Sequence, residues 1–315
     1  MIRLRPVEAT FCHVPACSDL ERLDAQVAVF GAPHGTPYQP GTPSHAANAP
    51  RAVRGALAWY ATGREQLDFD CMVPVMGDAT VADCGDVPGD LADGAANRAA
   101  IAAATRAILA ADAMPLLLGG DDSVPIPFIE AFGRAGHDDL TVVQVDAHID
   151  WRDEVDGVMH GFSSTMRRAS EMAHVRHMVQ IGARGPGSAR ARELADARAW
   201  GSRIVTARQL HAEGLAPALA AVPEGAHVIL AIDVDGIDPS VVPGVILPAF
   251  GGLSYQLMLD LIQGVAAKAR IVGANFVEYV PERDPTTSGA QAIARLACNV
   301  IAAVAGQSST QQICV

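Results

Sequence analysis

The chain has 315 residues, 50% hydrophobic and 18% charged, a globular composition with enough length to bury a large core. Its net charge of −12 argues against nucleic acid as a partner and is compatible with a cationic small molecule. No apolar run reaches the ~18 residues of a membrane span, and the start MIRLRPVEATFCHV lacks the apolar stretch of a secretion signal. A cytoplasmic protein with no membrane partner is expected. The six cysteines (Cys12, Cys17, Cys71, Cys84, Cys298 and Cys314) form no CxxC pair, which points to free thiols in a reducing compartment.

Residues 1–24 read as an irregular lead-in, one that could lie on a neighbouring subunit, ahead of a single domain over 25–315. Residues 26–30 (QVAVF) form the first strand and run into a Gly/Pro-rich loop, GAPHGTPYQPG. His34 in that loop reads as a surface or supporting group rather than a ligand. Pro50 near a first turn opens a helix over 49–54. A short strand and turn follow at 79–86, then an alanine-rich helix over 92–111. The buried strand 114–118 ends in Gly119-Gly120, where the backbone can pass close to a neighbouring group. Residues 125–132 start another helix.

Chemistry enters at residues 140–161, LTVVQVDAHIDWRDEVDGVMHG. The β-branched run is a buried strand, and Asp146, His148 and Asp150 follow at two-residue spacing. An extended continuation would turn them to one face, at the strand end where open α/β sheets bind ligands. After a helix through Met166, a strand at 178–181 and helices at 188–200 and 207–221 around a short strand at 203–205, the pattern recurs. The strand 228–232 delivers Asp233 and Asp235. Carboxylates gathered at one point repel unless cations neutralise them, so a divalent metal, and with this many ligands a pair, is the natural reading. A lone DxD more often caps a helix or makes an Asx turn; two clusters, each after its own apolar strand, do not read that way. A helix at 255–268, a strand at 273–277 and a helix at 288–303 complete the chain. Strands alternating with helices imply an α/β fold: one three-layer domain, a mostly parallel sheet with helices on both faces.

These motifs resemble the ureohydrolase family of arginases and agmatinases. The matching blocks are Gly119-Gly120-Asp121-Asp122-Ser123, Asp146-Ala147-His148-Ile149-Asp150, His160-Gly161, the DVDGIDP run from Asp233, and Glu278 in FVEYVP. The resemblance implies the arginase-like fold and two divalent ions, manganese in first place and nickel as the alternative. It implies that Asp146 and Asp233 bridge the ions, with Asp150 on one and His148 and Asp235 on the other. The reaction implied is hydrolysis of a guanidino compound to urea and an amine by a metal-bridging hydroxide. Glu278 would hold the guanidinium, His160 would serve as acid/base, and Trp151 and Arg152 would lie near the substrate tail. Family members are usually trimers or hexamers, so a homotrimer or homohexamer is expected.

One departure matters. The family's GGDHS places a histidine ligand where this chain has Asp122. If Asp122 binds, that site becomes all-oxygen and favours manganese; if it cannot reach, the ion is weakly held. Gly185, after IGAR, stands where arginases carry an aspartate that reads the substrate α-amino group, so arginine is disfavoured. Three substrates remain open: a guanidino acid if Arg152 pairs its carboxylate, agmatine if Asp153, Glu154 and Asp156 meet its amine, and a small or alkylated guanidine if the bulky apolar PGVILPA from Pro243 narrows the pocket. The other readings are a metal-deficient, non-catalytic partner subunit of an active paralogue, and a hydrolase of a formimidoyl or biguanide substrate on the same fold.

Overall fold

Alternation along the strands sorts the apolar side chains into two layers, one on each side of a single sheet. The computed structural model describes residues 2–58 and 65–312. In chain order the elements are β1 (Val27–Ala32), α1 (Ala49–Gly55), a hairpin of β2 (Leu67–Asp68) and β3 (Val73–Pro74), β4 (Val81–Asp86), α2 (Gly94–Ala110), β5 (Met114–Gly119), α3 (Pro125–Arg134) and β6 (Leu140–Val145). Then come α4 (Thr165–Ser170), β7 (Val175–Ile181), α5 (Ala191–Trp200), β8 (Arg203–Val205), α6 (Ala207–Glu213), α7 (Ala216–Ala221), β9 (His227–Asp233), α8 (Tyr255–Ala266), β10 (Arg270–Val277) and α9 (Ser288–Gln312).

Eight strands make a parallel sheet in the order β4-β1-β5-β10-β9-β6-β7-β8. Val29, Leu116, Val143 and Leu230 face one core with Val53 of α1, Met258 of α8 and Leu296 of α9. Their neighbours Phe30, Leu117, Val142 and Ile229 face the other, with Ile101 of α2, Phe128 of α3 and Met166 of α4. This period-two division gives the expected three layers. Register then sets the site: Val145 pairs with Ile232, and Asp233 pairs with Val277. Asp146, Asp233 and Glu278 therefore leave the sheet almost level with one another.

Several details depart from the expectation. Residues 207–221 form two helices, because Gly214 takes φ 70 between them. Within the chain the lead-in bridges the edge of β4, Arg5 to Asp86 and Ala16 to Asp83, which is no test of a contact with a neighbouring subunit. The β2–β3 hairpin carries no strong strand signal in the sequence. The last helix runs beyond 303; its Ser288–Gln307 span has a mean hydropathy of 1.3 and is 72% buried, packed as a core helix. Cys12, Cys84 and Cys298 are buried and Cys17 and Cys71 partly so, all free, while Cys314 lies outside the described residues.

Arg54 ties α1 to β4. It is 3% exposed; its Nε donates to Asp83 Oδ2 at 2.7 Å, Nη2 to Asp83 Oδ1 at 3.1 Å, and Nη1 to Asp86 Oδ1 at 2.6 Å. Removing one partner of a buried pair strands the other charge. Arg54→Met is therefore expected to destabilise the fold by about 3–5 kcal/mol, read as a lower denaturant midpoint. An unchanged midpoint would contradict this.

Candidate active site

Four strand tips converge here. β5, β10, β9 and β6 are neighbours in the sheet although they are far apart in sequence. Asp122 follows β5 past Gly120, Glu278 follows β10, Asp233 ends β9, and Asp146 follows β6. The C-terminal edge of a parallel sheet is the usual ligand position. Glycine makes the convergence feasible at two points. A Cβ at Gly236 would lie 2.5 Å from the Asp146 nitrogen, and one at Gly120 would lie 2.3 Å from the His34 carbonyl oxygen. Two carboxylates are held against local preference: Asp150 has φ 42 and Glu278 φ 70. Such conformations cost roughly 1–3 kcal/mol each and cluster at functional sites.

Among the described residues, two triads bring candidate ligand atoms within 4.8 Å of one another: Asp122, Asp146 and Asp150, and Asp146, His148 and Asp235. Asp146 is common to both. Its Oδ1 accepts from the His148 backbone nitrogen at 2.5 Å and lies 3.3 Å from His148 Nδ1, which is 3.2 Å from Asp235 Oδ2. Asp235 Oδ1 accepts from Ala147 nitrogen at 3.0 Å. Asp233 lies outside both triads; its Oδ1 accepts from Asp235 nitrogen at 2.8 Å.

A relay of amides orients the first triad. Ser202 Oγ donates to Gln180 Oε1 at 2.7 Å, Gln180 Nε2 to Gln144 Oε1 at 2.6 Å, and Gln144 Nε2 to Asp146 Oδ2 at 2.7 Å and Asp150 Oδ2 at 2.8 Å. Outer partners of this kind fix ligand direction. Neither glutamine was singled out from the sequence. The signal was there: a glutamine inside a buried apolar strand is out of place, and Gln144 stands two residues before Asp146.

The donor set fits divalent cations. Asp122 is 3% exposed and its Oδ2 makes no hydrogen bond, a cost a cation would remove. Burial, then the charges of their neighbours, holds Asp122, Asp150 and Asp233 well above the usual carboxylate range, and Asp235 is raised likewise. At Asp146 burial is outweighed by hydrogen bonds from Asp150 and His148, and its pKa falls to about 2. Burial opposes charge on His148, yet its bonds to Asp146 and Asp235 raise it to about 11. Protons thus stand in for positive charge when no cation is bound.

Raised folded-state pKa values mean that the folded chain binds more protons than the unfolded one, so stability falls as pH rises above the unfolded carboxylate value. The raised His148 acts in the same direction above the ordinary histidine range. The chelated protein is expected to melt lower at pH 8 than at pH 5.5, with the difference narrowing on addition of Mn²⁺. Equal melting of chelated and manganese-loaded protein at pH 8 would contradict it.

Other predicted residues fall in different settings. Glu278 is 4% exposed; its Oε1 accepts from Asp122 nitrogen at 2.8 Å, and its Oε2 lies 2.5 Å from His45 Nε2. His45 went unremarked in the sequence, where a lone loop histidine has no pattern around it. His160 is half-buried and belongs to neither triad; burial, then Arg98 and Arg168, lowers its pKa. Trp151 is 1% exposed and packs in the core, its ring 6.2 Å from Trp200, so the substrate-tail role expected of it has no surface to act through. Arg152 Nε lies 3.3 Å from Glu193 Oε1, already engaged. His34 is buried at 4% exposure, not a surface group.

A sequence model of the arginase family matches residues 25–305. Over 289 residues the chain is 31% identical to the guanidinobutyrase of Pseudomonas aeruginosa, covering 87% of this chain and 84% of that protein. The human mitochondrial guanidino acid hydrolase is 29% identical over 311 residues, 95% of this chain and 84% of its own length. Among solved structures, proclavaminate amidino hydrolase from Streptomyces clavuligerus superposes with a TM-score of 0.82 at 26% identity, covering 95% of this chain and 98% of that one. With its carboxylate–histidine cluster at the expected strand tips, the chain belongs to the arginase family and is a C–N hydrolase of guanidino compounds on the agmatinase-like branch.

Proposed function

We propose that the protein hydrolyses a guanidino compound other than arginine to urea and an amine, with two divalent cations held by the paired triads. The observation that carries this reading is Asp146, common to both triads, with Glu278 beside them on the next strand. Asp122 and Asp150 would hold one cation, His148 and Asp235 the other, with Asp146 and Asp233 between. When bound, such a pair supplies the charge that makes water a nucleophile near neutral pH.

The rest is the work of the chain's own side chains. Glu278 is turned into the site by its φ of 70 and presents a carboxylate to a planar cationic fork, the geometry in which such pairs are strong. Burial raises the cost of leaving that carboxylate unpaired, which favours a cationic partner over a neutral one. His160, neutral at rest because burial and two arginines lower its pKa, can accept a proton and pass it to the departing amine. Asp122 makes the first triad all-oxygen, a hard donor set that favours Mn²⁺ over Ni²⁺.

Two features support a substrate without an α-amino acid head. Gly185 has no side chain to read one, and a Cβ there would meet nothing within 4 Å. The relatives named for guanidino acids and guanidinobutyrate point the same way. The test is urea release by the manganese-loaded chain from 4-guanidinobutyrate, guanidinopropionate, agmatine, guanidine, methylguanidine and arginine. The expected result is turnover of at least one non-arginine guanidine, with arginine at least about tenfold poorer in kcat/KM, the worth of one recognition contact. Arginine as the best substrate, or no urea from any of them, would overturn the reading.

A further inference from the structure

His45 lies outside both triads and far in sequence from the residues it touches. Its Nε2 stands 2.5 Å from Glu278 Oε2, and of the two side chains His45 is the more exposed, 24% against 5%. The other Glu278 oxygen accepts from the Asp122 backbone nitrogen at 2.8 Å. A carboxylate offers about four lone-pair sites over its two oxygens. With one taken on each oxygen, one remains on each, and a guanidinium fork donates two parallel bonds to such a pair.

The loop that carries His45 is built to hold it there. Ser44 Oγ accepts from Asp121 nitrogen at 3.1 Å, anchoring the preceding residue beside the first triad. The His45 ring meets Phe162 edge-on, with centroids 5.4 Å apart and planes at 88°. Tyr38 of the same loop also packs on Phe162, with ring centroids 4.6 Å apart, and its hydroxyl accepts from Ser163 nitrogen at 3.0 Å. The loop is thus clamped to the segment that follows His160. Burial opposes charge on His45, but the hydrogen bond and charge of Glu278 outweigh it and raise its pKa.

We infer that His45 is a positioning residue for the guanidinium: it fixes Glu278 through Oε2 so that each carboxylate oxygen keeps one site open to the substrate's fork. This rests on the proposed hydrolysis of a guanidine for its meaning, but binding tests it separately. Without His45 the carboxylate keeps only its Asp122 contact and is free to rotate, so the fork meets a disordered partner. The loss falls on binding more than on the chemical step.

The experiment uses the manganese-loaded full chain, His45→Ala and His45→Gln, with guanidinium chloride as the ligand in calorimetry. KM and kcat on the best substrate, and bound manganese, are measured alongside. In His45→Ala, Kd for guanidinium and KM are expected to rise by about tenfold to a hundredfold, the worth of a hydrogen bond to a charged group. The fall in kcat is expected to be smaller, with manganese content unchanged. His45→Gln, which keeps a donor, should recover part of the loss. Unchanged or tighter guanidinium binding in His45→Ala would overturn the inference, as would equal impairment in both variants or loss of manganese. Histidine-dependent guanidinium binding without urea release would sink the hydrolase reading alone. No guanidinium binding by the unaltered protein would overturn both.

Discussion

Asp146→Ala is expected to abolish both metal equivalents and to lower kcat/KM by at least about a thousandfold, because cation charge is worth several kcal/mol at the reacting centre. Asp122, Asp150, His148 and Asp235 each serve one triad, Asp233 stands outside both, and Asp146 serves both. Its removal also takes one of two acceptors from Gln144 and leaves His148 only Asp235. A control separates ligand loss from unfolding. Gln144→Leu keeps every carboxylate and removes only the amide that orients Asp146 and Asp150. It is expected to weaken manganese binding by about tenfold to a hundredfold, as for other outer partners. An Asp146→Ala protein that kept two tightly bound ions would contradict the assignment.

Glu278→Gln is the second large effect. The amide has the shape of the carboxylate, but it has no charge, and its NH₂ cannot accept from His45 or from the Asp122 backbone nitrogen. Loss of a charge-assisted bidentate contact at a buried position should cost about 3–4 kcal/mol, or about two to three orders of magnitude in kcat/KM. Manganese content should stay at the unaltered level, since Glu278 stands outside both triads. Metal loss in this variant would make Glu278 a ligand and would require a different holder for the guanidinium.

The contrast between these residues and the ones that sequence reasoning missed has a physical basis. Asp146, His148, Asp150, Asp233 and Asp235 follow buried strands, so their placement required only that the strands be parallel and near one another. Parallel pairing brings β5, β10, β9 and β6 side by side, and the candidate ligands at their tips come with them. Trp151 and Arg152 were harder: nearness to Asp150 in sequence does not place them at the site, because Trp151 alternates into the core with Ile149 and Arg152 pairs with Glu193. Gln144 and Gln180 hid inside strands that read as apolar, where a single amide is easily passed over. His45 offered no periodicity: its partner is 233 residues away, and only the folded loop brings them together. The pairing of the lead-in with the edge of β4 depends on backbone groups that composition does not report.

Asp122 carries a buried carboxylate oxygen, Oδ2, with no hydrogen bond, and on that atom the proposed pair of cations turns. Crystals grown with Mn²⁺ and measured at the manganese edge address it directly. Two anomalous peaks per chain are expected, one among Asp122, Asp146 and Asp150 and the other among Asp146, His148 and Asp235. A single peak at the histidine triad, or none at either, would contradict it.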